Sequence, residues 1–249
     1  MIASLAMYDR REIASATDAF WALIRNACRL RGIEAPEHLE RENPFWQVWE
    51  SDDMLLSQTC GRPYRKRLHG KVQLVGTPDY GQRDCPAGYY RSAFVVRARD
   101  HRGFLSDYAK STFAYNEILS QSGWAAPQTH AEAQGFRFEK LLETGGHVLS
   151  AQAVAEGRAD IAALDSLTWD MIKRYEPFSL DLRVQEWTEP SPGLPFITAK
   201  SQDAALLGNF VERAIDQLDL NQRRALRLKG LVRIPPADYL SVSNPSDED

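Results

Sequence analysis

Small polar clusters recur in this chain just after apolar, strand-like runs and just where helices are due to begin. They are Ser57-Gln58-Thr59, Ser120-Gln121-Ser122-Gly123, Thr144-Gly145-Gly146-His147 and Asp165-Ser166. A strand that ends in small polar residues and leads into a helix is the unit of a layered α/β fold. Strands separated by helical stretches in this way are expected to pair in parallel.

The pattern along the chain supports this. Ile2 to Met7 reads as a short buried strand. A helix follows with Phe20, Leu23, Ile24, Ala27, Cys28 and Leu30 on one face and Gly32 as its stop. Further strands are expected at Met54–Leu56, at Val72–Val75 (ending at Gly76-Thr77-Pro78), and at Ala93–Val96, Thr112–Tyr115, Ile161–Leu164 and Leu182–Trp187. Thr144 to His147 opens a helix that Gly157 stops, and Asp203 to Leu228 is helical and amphipathic. Gly- and Pro-rich stretches mark two boundaries, one near Tyr89–Ser92 and one at Thr188–Pro195. They divide the chain into a first lobe of 1–88 plus 190–249 and a second of 89–189, joined by the two crossings a hinged clamshell needs. Ser243–Asp249 is polar and acidic and reads as disordered.

Several function classes are set aside at this point. The net charge is −4, which gives no electrostatic case for nucleic acid, and Arg62, Arg65, Lys66 and Arg67 read as a solvated face. No run approaches the ~20 apolar residues of a membrane span. No signal peptide precedes Asp9, which reads as cytoplasmic as written and periplasmic if a signal was removed. Walker, dinucleotide-binding, nucleophile-elbow and zinc-protease motifs are missing, and no cofactor is implied. Cys28 sits at core spacing, while Cys60 and Cys85 lie in Gly-containing loops where a disulfide between them is left open.

The polar clusters suggest their own chemistry. A helix start presents unpaired N–H groups and a partial positive charge, and neighbouring hydroxyls add donors. Several such ends on one crevice hold an anion without Lys or Arg. Each cluster taken singly is also an ordinary N-cap. His147 has three open roles: donor to an anion, helix cap, or acid–base group. Tyr8, Trp46, Tyr80, Tyr90, Trp124 and Trp169 are candidates for the walls of a ligand cage or for packing.

The segments Ser57-Gln58-Thr59-Cys60-Gly61, Thr77-Pro78-Asp79-Tyr80 and Tyr90-Arg91-Ser92 resemble the first lobe and hinge of PhnD-type phosphate/phosphonate substrate-binding proteins. Asn116 with Ser120-Gln121-Ser122-Gly123 resembles the family's Ser/Thr-rich phosphonate turn, with Gln121 in place of a hydroxyl residue. Thr144-Gly145-Gly146-His147, Ser150, Ala153-Val154-Ala155 and Gly157-Arg158-Ala159-Asp160 resemble its S-G-x-H helix and the run that follows. The resemblance implies a two-lobed type 2 periplasmic-binding-protein-like α/β fold with a hinged cleft. It also implies phosphonate contacts from Ser120, Ser122 and His147, and a place for a ligand amine at Asp165.

The expected function is capture of a small oxyanion or phosphonate-like ligand between the lobes, for an ABC transporter whose membrane component would be the partner. Ser57, Thr59, Ser120, Ser122 and His147 are expected to converge on the ligand, with Tyr8, Tyr80 and Tyr90 as walls. Two alternatives stand beside it. One is a cytoplasmic enzyme on the same fold, acting on a menaquinone- or thiamine-precursor-type metabolite. The other is a ligand sensor.

Overall fold

A computed structural model describes residues 1–246. In chain order the elements are β1 (Ile2–Ser4), α1 (Ala14–Leu30), α2 (Phe45–Trp49), β2 (Met54–Gln58), α3 (Gly61–Pro63), β3 (Val72–Asp79), β4 (Tyr89–Tyr90), β5 (Ser92–Arg97) and β6 (Thr112–Tyr115). Then come α4 (Ala126–Ala133), β7 (Lys140–Glu143), α5 (His147–Ala155), β8 (Ile161–Asp165), α6 (Ser166–Tyr175) and β9 (Leu182–Trp187). The last are β10 (Ser191–Pro192), β11 (Phe196–Ala199), α7 (Ala204–Gln217), α8 (Leu220–Leu226), β12 (Gly230–Val232) and α9 (Pro236–Leu240). Two π-helical turns, Tyr64–Leu68 and Gln121–Ala125, continue α3 and lead into α4.

The chain divides into two compact units. Met1–Gly88 joins Pro192–Leu240 in the first, and Tyr89–Ser191 joins residues 241–246 in the second. The tail was expected to go with the first unit. Its described part instead belongs to the second, where the Ser246 backbone N–H and hydroxyl both donate to Glu132. The disorder expected over Ser243–Asp249 therefore does not hold for Ser246, and residues 247–249 lie outside the described residues.

The first unit is built on a sheet of order β1-β2-β11-β3-β12. β1 and β2 run parallel, but β11 is antiparallel to both its neighbours, β2 and β3. The expectation of parallel pairing is therefore only half met. The cause is local: the Pro195 carbonyl accepts from Thr59 N–H at 3.1 Å, so β11 starts where β2 ends and must run back along it. β3 extends past the expected stop, through Gly76-Thr77-Pro78 to Asp79, because β12 pairs with Thr77, Pro78 and Asp79. The helical stretch after Asp203 is broken in two at Asp219, whose side chain caps α8.

The second unit has the order β7-β6-β8-β5-β9, with β6, β7 and β8 mutually parallel and β5 antiparallel to β8 and β9. Alternate residues build two separate cores, as the two-residue period of a strand requires. Ala93, Val95, Ala114, Ala162 and Leu164 pack on α5 and α6. Phe94, Val96, Phe113, Ile161 and Ala163 pack with Trp124, Ala131 and Phe138 on the other face. This double burial explains why these strands read as continuous apolar runs.

Other expectations need correction. Leu30 is exposed at the end of α1, and Trp21, in the middle of the helix and outside the expected face, is buried. Cys28, Cys60 and Cys85 are all thiols, with no disulfide among them, and burial pushes the Cys28 thiol up to about 11. Arg62 is not part of a solvated face: it is 2% exposed. Burial first, then the like charge of Arg65, lowers its pKa to about 10 against an opposing pull from Cys60. Among the described residues no helix is long and apolar enough to cross a membrane.

Candidate functional site

In the second unit, the carboxyl ends of the parallel strands β6, β7 and β8 lie along one edge of the sheet. The amino end of β5 lies there too, since Ser92 pairs with Asp165. Each of the three strand ends leads into a helical turn, so three helix starts share this edge. In open α/β sheets this is where ligands are bound.

After β6, Ser120 caps the π-helical turn: its Oγ accepts from Gly123 N–H at 3.0 Å. A hydroxyl that accepts in this way still carries its own proton to donate. After β7, Thr144 N–H donates to the Tyr115 carbonyl and Gly145 N–H to the Asn116 carbonyl, both at 2.9 Å, which fastens the two loops together. Gly145 holds a φ of +83°, which permits the sharp entry into α5. The Thr144 and Ser150 hydroxyls lie 2.7 Å apart across that entry.

Through this clamp Ser122 meets His147, with Oγ 3.0 Å from Nε2. Ser122 is buried and His147 half-buried. Desolvation pushes the His147 pKa down to about 4, against a smaller opposing pull from the Ala163 carbonyl, so the imidazole is neutral at pH 7. The neutral imidazole has one N–H: on Nε2 it donates to Ser122 and leaves the serine proton free, and on Nδ1 it leaves Nε2 to accept from the serine. Gly123 is required here for a different reason from Gly145. A Cβ on it would overlap the Asn116 carboxamide and come within 3.1 Å of His147 Cε1.

Asp165 is buried and caps α6, accepting from Thr168 N–H at 2.9 Å. Capping the helix therefore occupies at least one of its oxygens. Tyr90 is buried on β4, just before β5.

The first unit has its own carboxyl edge. β1 runs parallel to β2, and β2 and β3 are both antiparallel to β11, so all three end on the same side. Tyr8 and Tyr80 meet there edge to face, with ring centroids 5.2 Å apart. Gln58 Nε2 donates to Tyr80 Oη at 3.2 Å and to the Leu194 carbonyl at 3.0 Å. Thr59 is fully buried just past β2. Ser57 is placed inside β2, paired through its backbone with Ser4 and Ile197, and not in the loop beyond.

Ser120, Ser122, His147 and Asp165 thus share one edge of the second unit, and Tyr8, Thr59 and Tyr80 one edge of the first. Gln58 was not among the residues expected to meet the ligand; it stands between two that were, Ser57 and Thr59, so position was the available signal. Among the described residues no group of three or more His, Cys, Asp or Glu side chains is placed to hold a metal ion.

Residues 56–239 match the family described as the periplasmic substrate-binding protein of the phosphonate ABC transporter. The chain belongs to this family. It is a family of substrate-binding proteins and not of enzymes. Among solved structures, PhnD1 from Prochlorococcus marinus in complex with methylphosphonate is similar at 14% identity, over 96% of this chain and 94% of that one, with a TM-score of 0.71. XAC2383 from Xanthomonas citri bound to ATP is similar at 19% identity, over 91% and 90%, with a TM-score of 0.66. PA3383 from Pseudomonas aeruginosa, a binding protein component of an ABC phosphonate transporter, has 13% identity over 93% and 80%, with a TM-score of 0.66. The shared fold is the α/β type 2 periplasmic-binding-protein fold expected from the sequence. No match was found among curated proteins.

Proposed function

We propose that this chain is a solute-binding protein that captures a small phosphonate- or phosphate-like oxyanion for uptake through an ABC transporter. The observation that carries the reading is the Ser122–His147 pair at an edge where three helices start. Hydroxyl and N–H donors there accept negative charge, while the depressed pKa of His147 keeps the pair uncharged before the ligand arrives. An anion is then bound without the cost of burying and pairing a fixed cation. In this reading Ser120, Ser122 and His147 hold the oxygens, and Ser57, Thr59, Tyr8, Tyr80 and Tyr90 are further ligand contacts. Asp165 would meet a ligand amine only with the lone pairs its capping role leaves over. Methylphosphonate bound to PhnD1 of the same fold makes a one-carbon phosphonate the first ligand to try.

The test is calorimetry with phosphate, phosphite and methylphosphonate on the wild type, Ser120→Ala and Ser122→Ala. Losing one charge-assisted hydrogen bond costs ~1.5–3 kcal/mol, or roughly ten-fold or more in Kd. Wild-type affinity in both variants would remove the second unit's edge from the binding site.

A further inference from the structure

The chain passes between its two units three times: after Gly88, before Pro192 and after Leu240. The first two passages are tied together at their root in the first unit, where Gly193 N–H donates to the Gly88 carbonyl at 2.8 Å. The third follows α9 directly and is irregular chain over residues 241–246.

This third passage is fixed where it begins. Tyr239 on α9 is 1% exposed. Its Oη donates to the Gly193 carbonyl at 3.0 Å and lies 2.6 Å from Thr77 Oγ1. Its ring meets Tyr64 edge to face, with centroids 5.5 Å apart. A Cβ on Gly193 would come within 2.6 Å of the Gly88 carbonyl oxygen, so there is no slack at this root. Tyr239 therefore binds the start of the third passage to the residue that anchors the other two.

The far end is held differently. In the second unit the Ser246 backbone N–H and hydroxyl donate to Glu132 on α4, at 3.2 and 3.0 Å. Glu132 also pairs with Arg137 at 3.3 Å. Pro245 is buried, but Ser246 is exposed. Hydrogen bonds that water can replace hold a segment only weakly, so this end can let go while the other stays. Between the two ends the chain is short. Leu240 and Ser246 are six Cα steps apart. Extended chain covers at most ~3.3–3.6 Å per residue, so these two residues cannot separate by more than ~20 Å while Ser246 stays on Glu132.

A closed loop of this kind removes the widest arrangements from a hinge's range. We propose that residues 241–246 are a releasable strap that limits how far the hinge between the two units opens. Tyr239 is its fixed end, and Ser246 with Glu132 is its catch.

The experiment measures residual dipolar couplings on the isotope-labelled full chain without ligand and fits an alignment tensor to each unit separately. Hinge motions on the μs–ms scale are averaged into these couplings. The wild type is compared with Ser246→Pro, which removes both donors, and with Glu132→Ala, which removes the acceptor. The expected result is one tensor shared by the two units in the wild type and loss of that shared tensor in both variants. Ser246→Ala, which keeps the N–H, should fall between. Ser246 is exposed, so its variants keep the test open if Glu132→Ala fails to fold. Separate tensors already present in the wild type, or a shared tensor kept in both variants, overturns the proposal. Separation in only one of two folded variants also overturns it, since the catch needs both its halves. No ligand is added, so none of these outcomes bears on the oxyanion reading.

Discussion

The carboxyl edges of the two sheets are built from different materials. At the first unit's edge, rings and an amide satisfy one another: Tyr8 packs on Tyr80, and Gln58 spans Tyr80 and the Leu194 carbonyl. At the second unit's edge, hydroxyls and an imidazole line three helix starts, and their loops are stitched by backbone bonds from Thr144 and Gly145. Side chains that already satisfy one another offer a wall, which fits a substituent. Groups that keep a proton to give offer a socket, which fits an oxyanion. The comparison predicts that the second edge is intolerant of change and the first tolerant.

The largest effect should come from protonating His147. Unfolded, the imidazole takes a proton near its ordinary value of 6.5; in the fold it does so only near 4. The unfolded state is then the better proton binder, so stability falls as pH drops from 6.5 toward 4. The shift of 6.5 to about 4 sets an upper bound of ~3 kcal/mol on this loss. Denaturant titrations of wild type and His147→Gln across that window should show the wild type losing stability more steeply. Parallel curves would mean that His147 is as easily charged as an exposed histidine, and the socket would lose its neutral character.

The second effect concerns Gly123. Adding a methyl group there drives it into Asn116 and against His147. Overpacking of this kind costs ~1–3 kcal/mol. Gly123→Ala should therefore lower the urea midpoint and weaken methylphosphonate binding together. A variant with wild-type stability and affinity would show that the Asn116 loop yields freely, and that this edge is no stiffer than the other.

These contrasts were unevenly legible in the sequence. The second edge announces itself, because helix caps and anion sockets both call for Ser, Thr, Asp and Gly directly after an apolar run. Ser120, Gly145 and Asp165 take just such positions. The first edge is harder to read. Its chief connector, Gln58, is the last residue of a strand, and nothing in a strand's period says which neighbour an amide will reach. Three strands of the two five-stranded sheets were not foreseen, for separate reasons. Lys140–Glu143 is a largely exposed edge strand, and Phe196–Ala199 hides behind prolines. Gly230–Val232 has only three residues. Without Phe196–Ala199 the reversal of direction in the first sheet could not be foreseen. Arg62 was misread because Arg65, Lys66 and Arg67 beside it do look like a wet surface, and burial of a guanidinium depends on what packs over it.

The smallest effect tests the tolerant side. Tyr80→Phe removes the hydroxyl that accepts from Gln58 and leaves the ring to meet Tyr8 as before. Gln58 Nε2 keeps its bond to the Leu194 carbonyl, so the amide is not stranded. A net hydrogen bond with one partner retained is worth ~0.5–1.5 kcal/mol, and the lower end applies here. Stability should drop by about 0.5 kcal/mol, and affinity for methylphosphonate should change less than two-fold. If Tyr80→Phe instead weakens binding as much as Ser122→Ala, the tyrosine hydroxyl is itself a ligand contact. The division into wall and socket would then have to be given up.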